Sequence, residues 1–179
     1  MSLRKLAHQE IVRTPLQEID KQDRHPLVIV VDNVRSLYNV GSIFRTCDGA
    51  LVRKLYLCGY TPYPPRKEIS KTSLSATESV PWEYVYDITV VLQKLKEEGM
   101  TIAALEHTNA SVSCFDMQPE IFPLAVVVGN EIVGVSDEVL PYCDLAIELP
   151  MHGVKQSLNV AVATGIICYE CLRVLTAAR

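Results

Sequence analysis

Leu27-Val28-Ile29-Val30-Val31 is a run of five apolar residues, four of them β-branched, opened by Pro26. A strand that buries both of its faces reads this way, and such strands belong to parallel sheets covered by helices on both sides. Leu124-Ala125-Val126-Val127-Val128 repeats the pattern after Pro123. Between them, Lys54 to Cys58 and Thr101 to Leu105 read as further strands, and Leu145 to Leu149 as a later one. Helical periodicity fills the gaps. Asn39 to Asp48 lies between the first two strands. Asp87 caps a stripe of Ile88, Val91, Leu92 and Leu95 that Gly99 closes. From about Ser157 to Leu175 the chain is apolar around most of a helix, with Ser157 as its expected N-cap. A terminal helix of that kind needs a cover, and a second copy of the chain supplies one. The fold class that follows is α/β, a mostly parallel sheet flanked by helices.

The chain has 179 residues, room for one domain. Its composition, 49% apolar and 21% charged, excludes a disordered tail, a collagen and a disulfide scaffold. Uninterrupted apolar stretches are far shorter than the roughly 20 residues that cross a bilayer, and no signal peptide opens the chain. The expectation is a cytoplasmic protein with no membrane contact. Residues 1–25 are polar and form a small N-terminal arm, in which Thr14-Pro15-Leu16-Gln17 has capping-box spacing for a short helix. Residues 26–179 form the domain.

Six cysteines are too few for a disulfide framework. Cys58, Cys114 and Cys143 sit in or beside apolar runs, and Cys168-x-x-Cys171 lacks the second Cys pair or His pair a zinc site needs. Core packing is the expectation for all of these, and no metal site is expected among His8, His25, His107 and His152. The net charge is −4, yet it divides unevenly. Residues 1–71 carry 12 Lys and Arg against 7 Asp and Glu, or +5, and residues 72–179 carry 5 against 14, or −9. A basic face on an acidic body suits a polyanionic partner.

The eight glycines contain no G-x-G pair, no P-loop and no G-x-S-x-G elbow. Dinucleotide binding, P-loop chemistry and the common serine-hydrolase arrangement are thereby excluded. Ligands of α/β domains bind beyond the carboxyl ends of the strands, so the loops after residues 31, 105, 128 and 149 carry the interest. Three hold clustered Gly, Asn, Glu, Ser and Arg: Asp32 to Thr46, Gly129 to Ser136, and Pro150 to Val160.

These three segments resemble the ordered motifs of the SPOUT-superfamily RNA 2′-O-ribose methyltransferases, the SpoU/TrmH-like branch. Asn39, Gly41 and Arg45 match N-x-G-x-x-x-R. Gly129, Asn130, Glu131 and Gly134 match G-[NS]-E-x-x-G, with Ile132-Val133 where a glycine often follows the glutamate. Pro150, Met151, Gly153, Ser157, Leu158 and Asn159 match P-M-x-G-x-x-x-S-L-N. The resemblance spans residues 27 to 175. It implies a C-terminal deep trefoil knot, S-adenosylmethionine as cofactor, a homodimer through the C-terminal helix, and an RNA substrate, with tRNA favoured over rRNA.

It also implies roles. Arg45 does the work on the 2′-hydroxyl, oriented by Asn39, while Glu131 holds that arginine or a loop backbone and Ser157 and Asn159 complete the catalytic group. Leu105, Gly129, Asn130, Ile147, Leu149, Met151, Ser157 and Leu158 surround the cofactor. Because guanidinium stays protonated, Arg45 is better described as a phosphate clamp that stabilises developing alkoxide charge. Arg35, Arg45, Arg66, Lys67 and Lys71 are the expected RNA contacts. Tyr60-Thr61-Pro62-Tyr63-Pro64-Pro65-Arg66-Lys67 pairs aromatic with basic residues, as single-strand readers do, though a stiff connector has the same composition. Trp82 reads as core or interface. Two competing functions are a knotted RNA-binding protein that holds cofactor without catalysis and a small-molecule enzyme using the same pocket. Intact Arg45, Glu131, Ser157 and Asn159 argue against the first and the basic residues 1–71 against the second.

Overall fold

The computed structural model describes residues 3–12 and 14–177. Seven strands form one sheet: β1 (His25–Asp32), β2 (Val52–Cys58), β3 (Trp82–Val85), β4 (Thr101–Leu105), β5 (Ser111–Ser113), β6 (Leu124–Val128) and β7 (Leu145–Glu148). Their order is β3-β2-β1-β6-β4-β7-β5, and every pairing is parallel. Central β1 pairs Val28 with Lys54 on one side and with Ala125 on the other. Among the described residues the α-helices are α1 (Leu16–Ile19), α2 (Leu37–Gly49), α3 (Lys67–Ser73), α4 (Ala76–Ser79), α5 (Ile88–Glu97) and α6 (Val160–Ala177). The chain runs β1-β2-β3 outward in one direction and places β6, β4, β7 and β5 in the other. The order therefore reverses between β1 and β6, the usual place for a ligand in an open α/β sheet.

Alternate residues of β1 feed two separate cores. Leu27, Ile29 and Val31 pack with Val40, Ile43, Phe44 and Cys47 of α2 and with Ile167, Cys168 and Cys171 of α6. Val28 and Val30 pack with Ile88, Val91, Leu92 and Leu95 of α5. The apolar run is continuous because both faces are covered. Each of the four α5 side chains is at most 3% exposed, a burial worth roughly 1.5–3 kcal/mol apiece. Asp87 caps α5 by accepting the Thr89 N–H at 2.9 Å, and Gly99 follows with φ +75°. Trp82 meets Phe44 edge-on, ring centroids 5.9 Å apart, which settles it as a packing residue.

The cysteines of α6 are core. Cys168 and Cys171 are buried, and all six thiols are free. The hydrogen bond with Cys47, followed by burial, pushes the Cys168 thiol well up, and burial does the same to Cys171. Nucleophilic and redox chemistry of a thiol needs the thiolate, which this environment opposes. No group of three or more metal-ligating side chains occurs among the described residues, and His152 is exposed.

Two expectations need correction. The final helix begins at Val160, and its cap is Asn159, whose Oδ1 accepts the Ala161 and Val162 N–H groups at 2.9 and 3.4 Å; Ser157 does not cap it. Two good capping residues stand two apart, and the one nearer the apolar stripe wins. At α1 the cap residue is Pro15, in extended conformation, and the Thr14 hydroxyl instead accepts Gln22 Nε2 at 2.9 Å. Within one chain, α6 is buried on one side only. With mean hydropathy 1.6 over 18 residues it is long and apolar enough to cross a membrane. However, Val160, Thr164, Ile167, Cys168, Cys171 and Val174 face the core, leaving Val162, Ile166 and Tyr169 exposed.

Candidate active site

In a parallel sheet all carboxyl ends lie along one edge, so the loops after β1, β4, β6 and β7 meet there. Those after β4, β6 and β7, with the start of α6, enclose a cavity of about 690 Å³. Leu105, Gly129, Asn130, Ile147, Leu149, Met151, Ser157 and Leu158, the eight residues expected around a cofactor, all line it, as do Glu131 and Asn159.

The loop after β6 is shaped by close backbone approach. A Cβ on Gly129 would stand 2.1 Å from the Gly134 carbonyl carbon and 2.2 Å from the Val135 nitrogen. The chain turns back here, with Asn130 and Gly134 exchanging two backbone hydrogen bonds of 2.9 and 3.0 Å. The Asn130 side chain is committed to that turn. Its amide donates to the Asn33 carbonyl at 2.7 Å and the Tyr60 hydroxyl at 3.2 Å, and its oxygen accepts the Ile132 and Val133 N–H groups. With all four positions filled, Asn130 builds the wall and has no side-chain polar group left for a ligand.

Glu131 reaches across to the start of α2. Its carboxylate accepts the Arg35 N–H at 3.0 Å, the Ser36 N–H at 3.1 Å and Asn39 Nδ2 at 2.9 Å. Partial desolvation pushes this carboxyl up, but the bonds from Arg35, Asn39 and Ser36 outweigh it, and the net effect is below the usual carboxylate value. Asn39 Oδ1 in turn accepts Asn159 Nδ2 at 3.1 Å. Asn39, Glu131 and Asn159 thus join the three sequence segments. Of the two duties expected for Glu131, it performs the second, holding a loop backbone.

Arg45 stands apart from this chain of bonds. It lies six residues beyond Asn39, roughly 9 Å along the helix axis, and no bond joins the two. The expectation that Asn39 orients Arg45 is therefore not met, since the Asn39 side chain is engaged by Glu131 and Asn159. Arg45 is exposed and outside the cavity lining. Among the described residues, Arg35, Arg45, Arg66, Lys67 and Lys71 make no side-chain hydrogen bond or ion pair. By contrast Arg53, Lys54, Lys96 and Arg173 are each matched to a carboxylate. The first five lie on α2, α3 and the loops before them.

Sequence reasoning missed Glu106, His107 and Glu148, which also line the cavity. Glu106 accepts the His107 and Val135 N–H groups at 2.9 and 3.0 Å. His107 lies 3.3 Å from Glu148 Oε2 and 3.1 Å from the Gln156 carbonyl. Bonds from the Ser111 hydroxyl and then His107 hold the Glu148 carboxyl below its usual value. The available signal was their place directly after or at the end of a strand.

Residues 26–169 match the SpoU rRNA Methylase family. The chain belongs to that family. It is 36% identical over 161 residues to a tRNA (guanosine(18)-2′-O)-methyltransferase of Aquifex aeolicus, covering 88% of this chain and 74% of that protein. It is 33% identical to a TrmH family protein of Staphylococcus epidermidis, of whose length it spans 63%. Among solved SpoU-type structures, the A. aeolicus TrmH/SpoU tRNA modifying enzyme superposes with TM-score 0.81 at 33% identity, over 91% of this chain and 83% of that one. An AdoMet-bound rRNA methyltransferase from Sinorhizobium meliloti gives 0.76 at 26% identity, over 89% and 60%. The fold is thus that of the SpoU methylases.

Proposed function

We propose that this chain transfers the methyl group of S-adenosylmethionine to a ribose 2′-hydroxyl of RNA, with tRNA as substrate, as a homodimer in the cytoplasm. The observation that carries it is the cavity, walled by eight expected residues from separated segments and tied to α2 through Glu131. The walls fit the cofactor. Leu105, Ile147, Leu149 and Leu158 offer an apolar surface for adenine, and Glu106, Glu131, Asp137 and Glu148 supply negative charge beside a sulfonium and an ammonium. Among the described residues, the Gln156 carbonyl is the only backbone group from Met151 to Leu158 with a hydrogen bond, which leaves the others to read a ligand. The volume is within the usual range for such sites. When bound, S-adenosylmethionine supplies an electrophilic methyl group.

The chain's own part is positioning and charge. Glu131, Asn39 and Asn159 fix the start of α2 against the cavity loop and α6. Arg45 holds an RNA phosphate and donates to the 2′-oxygen as negative charge develops there, the methyl leaving the sulfonium as a thioether and the hydroxyl proton passing to solvent water at this exposed position. Arg45 does not line the cavity of its own chain, and it lies with Tyr38, Ser42 and Gly49 on one stripe of α2. The Tyr169 hydroxyl of α6 sits 3.1 Å from where a Gly49 Cβ would stand. We assign this stripe and the exposed Val162, Ile166 and Tyr169 to contact with a second copy, and Arg45 to service of the partner's cavity, a reading supported by the exposure of these side chains. Arg35, Arg66, Lys67 and Lys71 are the remaining phosphate contacts.

The reading includes the arm at 1–25, the domain at 26–179 and a threaded C-terminal segment. The route supports the last: β6 is central, β7 lies beyond β4, and α6 returns to α2. The test is transfer from labelled S-adenosylmethionine into undermodified tRNA and, separately, rRNA, followed by nucleoside digestion. Label in a 2′-O-methylnucleoside of tRNA is expected; label on a base overturns the reaction, and label in rRNA alone overturns the substrate. Light scattering at micromolar concentration checks the dimer, and a monomer refutes it.

A further inference from the structure

Tyr60 is an aromatic ring held in place yet left open. It is 60% exposed, although the Asn130 amide donates to its hydroxyl at 3.2 Å and its own N–H donates to Asn33 Oδ1 at 3.1 Å. Anchored at both ends, the ring loses little further freedom when a flat ligand lands on it. Its anchor, Asn130, lines the cavity, so the ring hydroxyl stands one side chain away from that wall. Three residues on, Tyr63 is 44% exposed and stacked on Tyr84, ring centroids 4.3 Å apart. Arg66, Lys67 and Lys71 follow along the chain, exposed and unpaired. A fixed open ring followed by unpaired cations complements a single-stranded polyanion with flat bases. A stiff connector needs no cations free of carboxylates and no open ring pinned by its hydroxyl.

We infer that Tyr60 is a base-stacking platform for an unpaired nucleotide flanking the one that enters the site, with the phosphates beyond it running past Arg66, Lys67 and Lys71. This rests on the reading of the chain as acting on RNA. It assigns to the segment between β2 and α3 the selection of single-stranded over paired RNA.

The test is a binding cycle with two labelled probes at fixed low salt, an oligoadenylate and an abasic ribose-phosphate oligomer of the same length. The full chain and its Tyr60→Leu and Tyr60→Phe variants are compared by fluorescence anisotropy. Stacking of one base is worth about five- to hundredfold in affinity. The wild-type chain is expected to prefer oligoadenylate by at least about fivefold. Tyr60→Leu erases that preference without weakening the abasic probe, and Tyr60→Phe, which keeps the ring, retains it within about twofold. The inference is overturned if the wild-type chain shows no preference, if Tyr60→Leu weakens both probes alike, or if Tyr60→Phe behaves as Tyr60→Leu. The cycle needs no methyl transfer, so the two readings fail separately. A preserved preference without transfer removes the enzyme reading alone, and transfer without a preference removes this inference alone.

Discussion

Replacing Glu131 by Gln removes a charge while keeping the shape, and the structure says what that does. Oε1 accepts from Ser36 N–H and Asn39 Nδ2, and Oε2 from Arg35 N–H. A glutamine amide keeps its oxygen on the first pair and turns an NH₂ toward the Arg35 N–H, so a bond becomes a clash of donors. The carboxylate also faces the N-terminus of α2, where negative charge is worth about 0.3–1 kcal/mol. Charge-assisted bonds are nominally worth about 1.5–3 kcal/mol each, but this side chain is exposed and the released groups rehydrate, so a total near 1–2 kcal/mol is expected. For a domain of this size that lowers Tm by about 2–8 °C.

The pH dependence gives the sharper test. The folded Glu131 carboxyl titrates below its unfolded value, so its contribution is complete above the ordinary glutamate pKa of about 4.3 and is lost as pH falls through the lower, folded value. Urea unfolding of the wild-type chain and Glu131→Gln is compared at neutral pH and at successively lower pH. The gap between them is expected to close as pH drops below about 4.3. Other carboxylates titrate in both proteins and cancel in the difference. A gap that stays constant across that range refutes the account of Glu131 as an ionised clamp.

Arg45→Ala is expected to lower methyl transfer by about a hundredfold or more while S-adenosylmethionine binding, followed by calorimetry, stays within about twofold; loss of cofactor binding would mean that the residue belongs to the cavity. Gly129→Ala forces a Cβ against the backbone of Gly134 and Val135, and a loss of about 3 kcal/mol or more in urea unfolding is expected, with cofactor binding abolished. The thiols are predicted to be inert. Burial pushes Cys58 up to about 12 and Cys143 up to about 11, and the pair in α6, Cys168 and Cys171, is buried as well. A disulfide reagent is expected to modify the native chain slowly at neutral pH and all six thiols at once in denaturant, with no zinc released by either treatment.

Five of the seven strands were legible because they are apolar runs between helical patterns. The two that escaped, Trp82–Val85 and Ser111–Ser113, form the edges of the sheet. Edge strands are short and polar by necessity, since one side faces solvent, and three residues containing two serines carry no periodic signal. Strand order was not legible at all, because pairing between β1 and β6 joins residues about a hundred positions apart and nothing local encodes it. The cavity residues were legible through the motif resemblance, whereas Glu106, His107 and Glu148 were not. A single acidic residue or histidine after a strand has no pattern until the loop from 149 to 158 folds over it.

Of the four residues that the motifs set beside Arg45 as catalytic, Ser157 lines the cavity, and the bonds of the other three argue for a different duty. Asn39 stands after β1, Glu131 after β6 and Asn159 before α6, and each spends its side chain on another of the three or on their backbone. A group whose donors and acceptors are filled by protein has little left for a substrate. What the arrangement does achieve is to make the cavity loop, the first turn of α2 and the cap of α6 one rigid unit. Arg45, fixed on the same α2 but unpaired, is then carried at a set distance from the cavity and from the face of α6 that a second copy would cover. This predicts a division in the kinetics. Asn39→Ala, which breaks the link between Glu131 and Asn159, should loosen cofactor binding and transfer together, whereas Arg45→Ala should affect transfer alone. If Asn39→Ala left the cofactor KM unchanged and lowered only kcat, Asn39 would be acting on the reacting atoms, and the positioning role would be wrong.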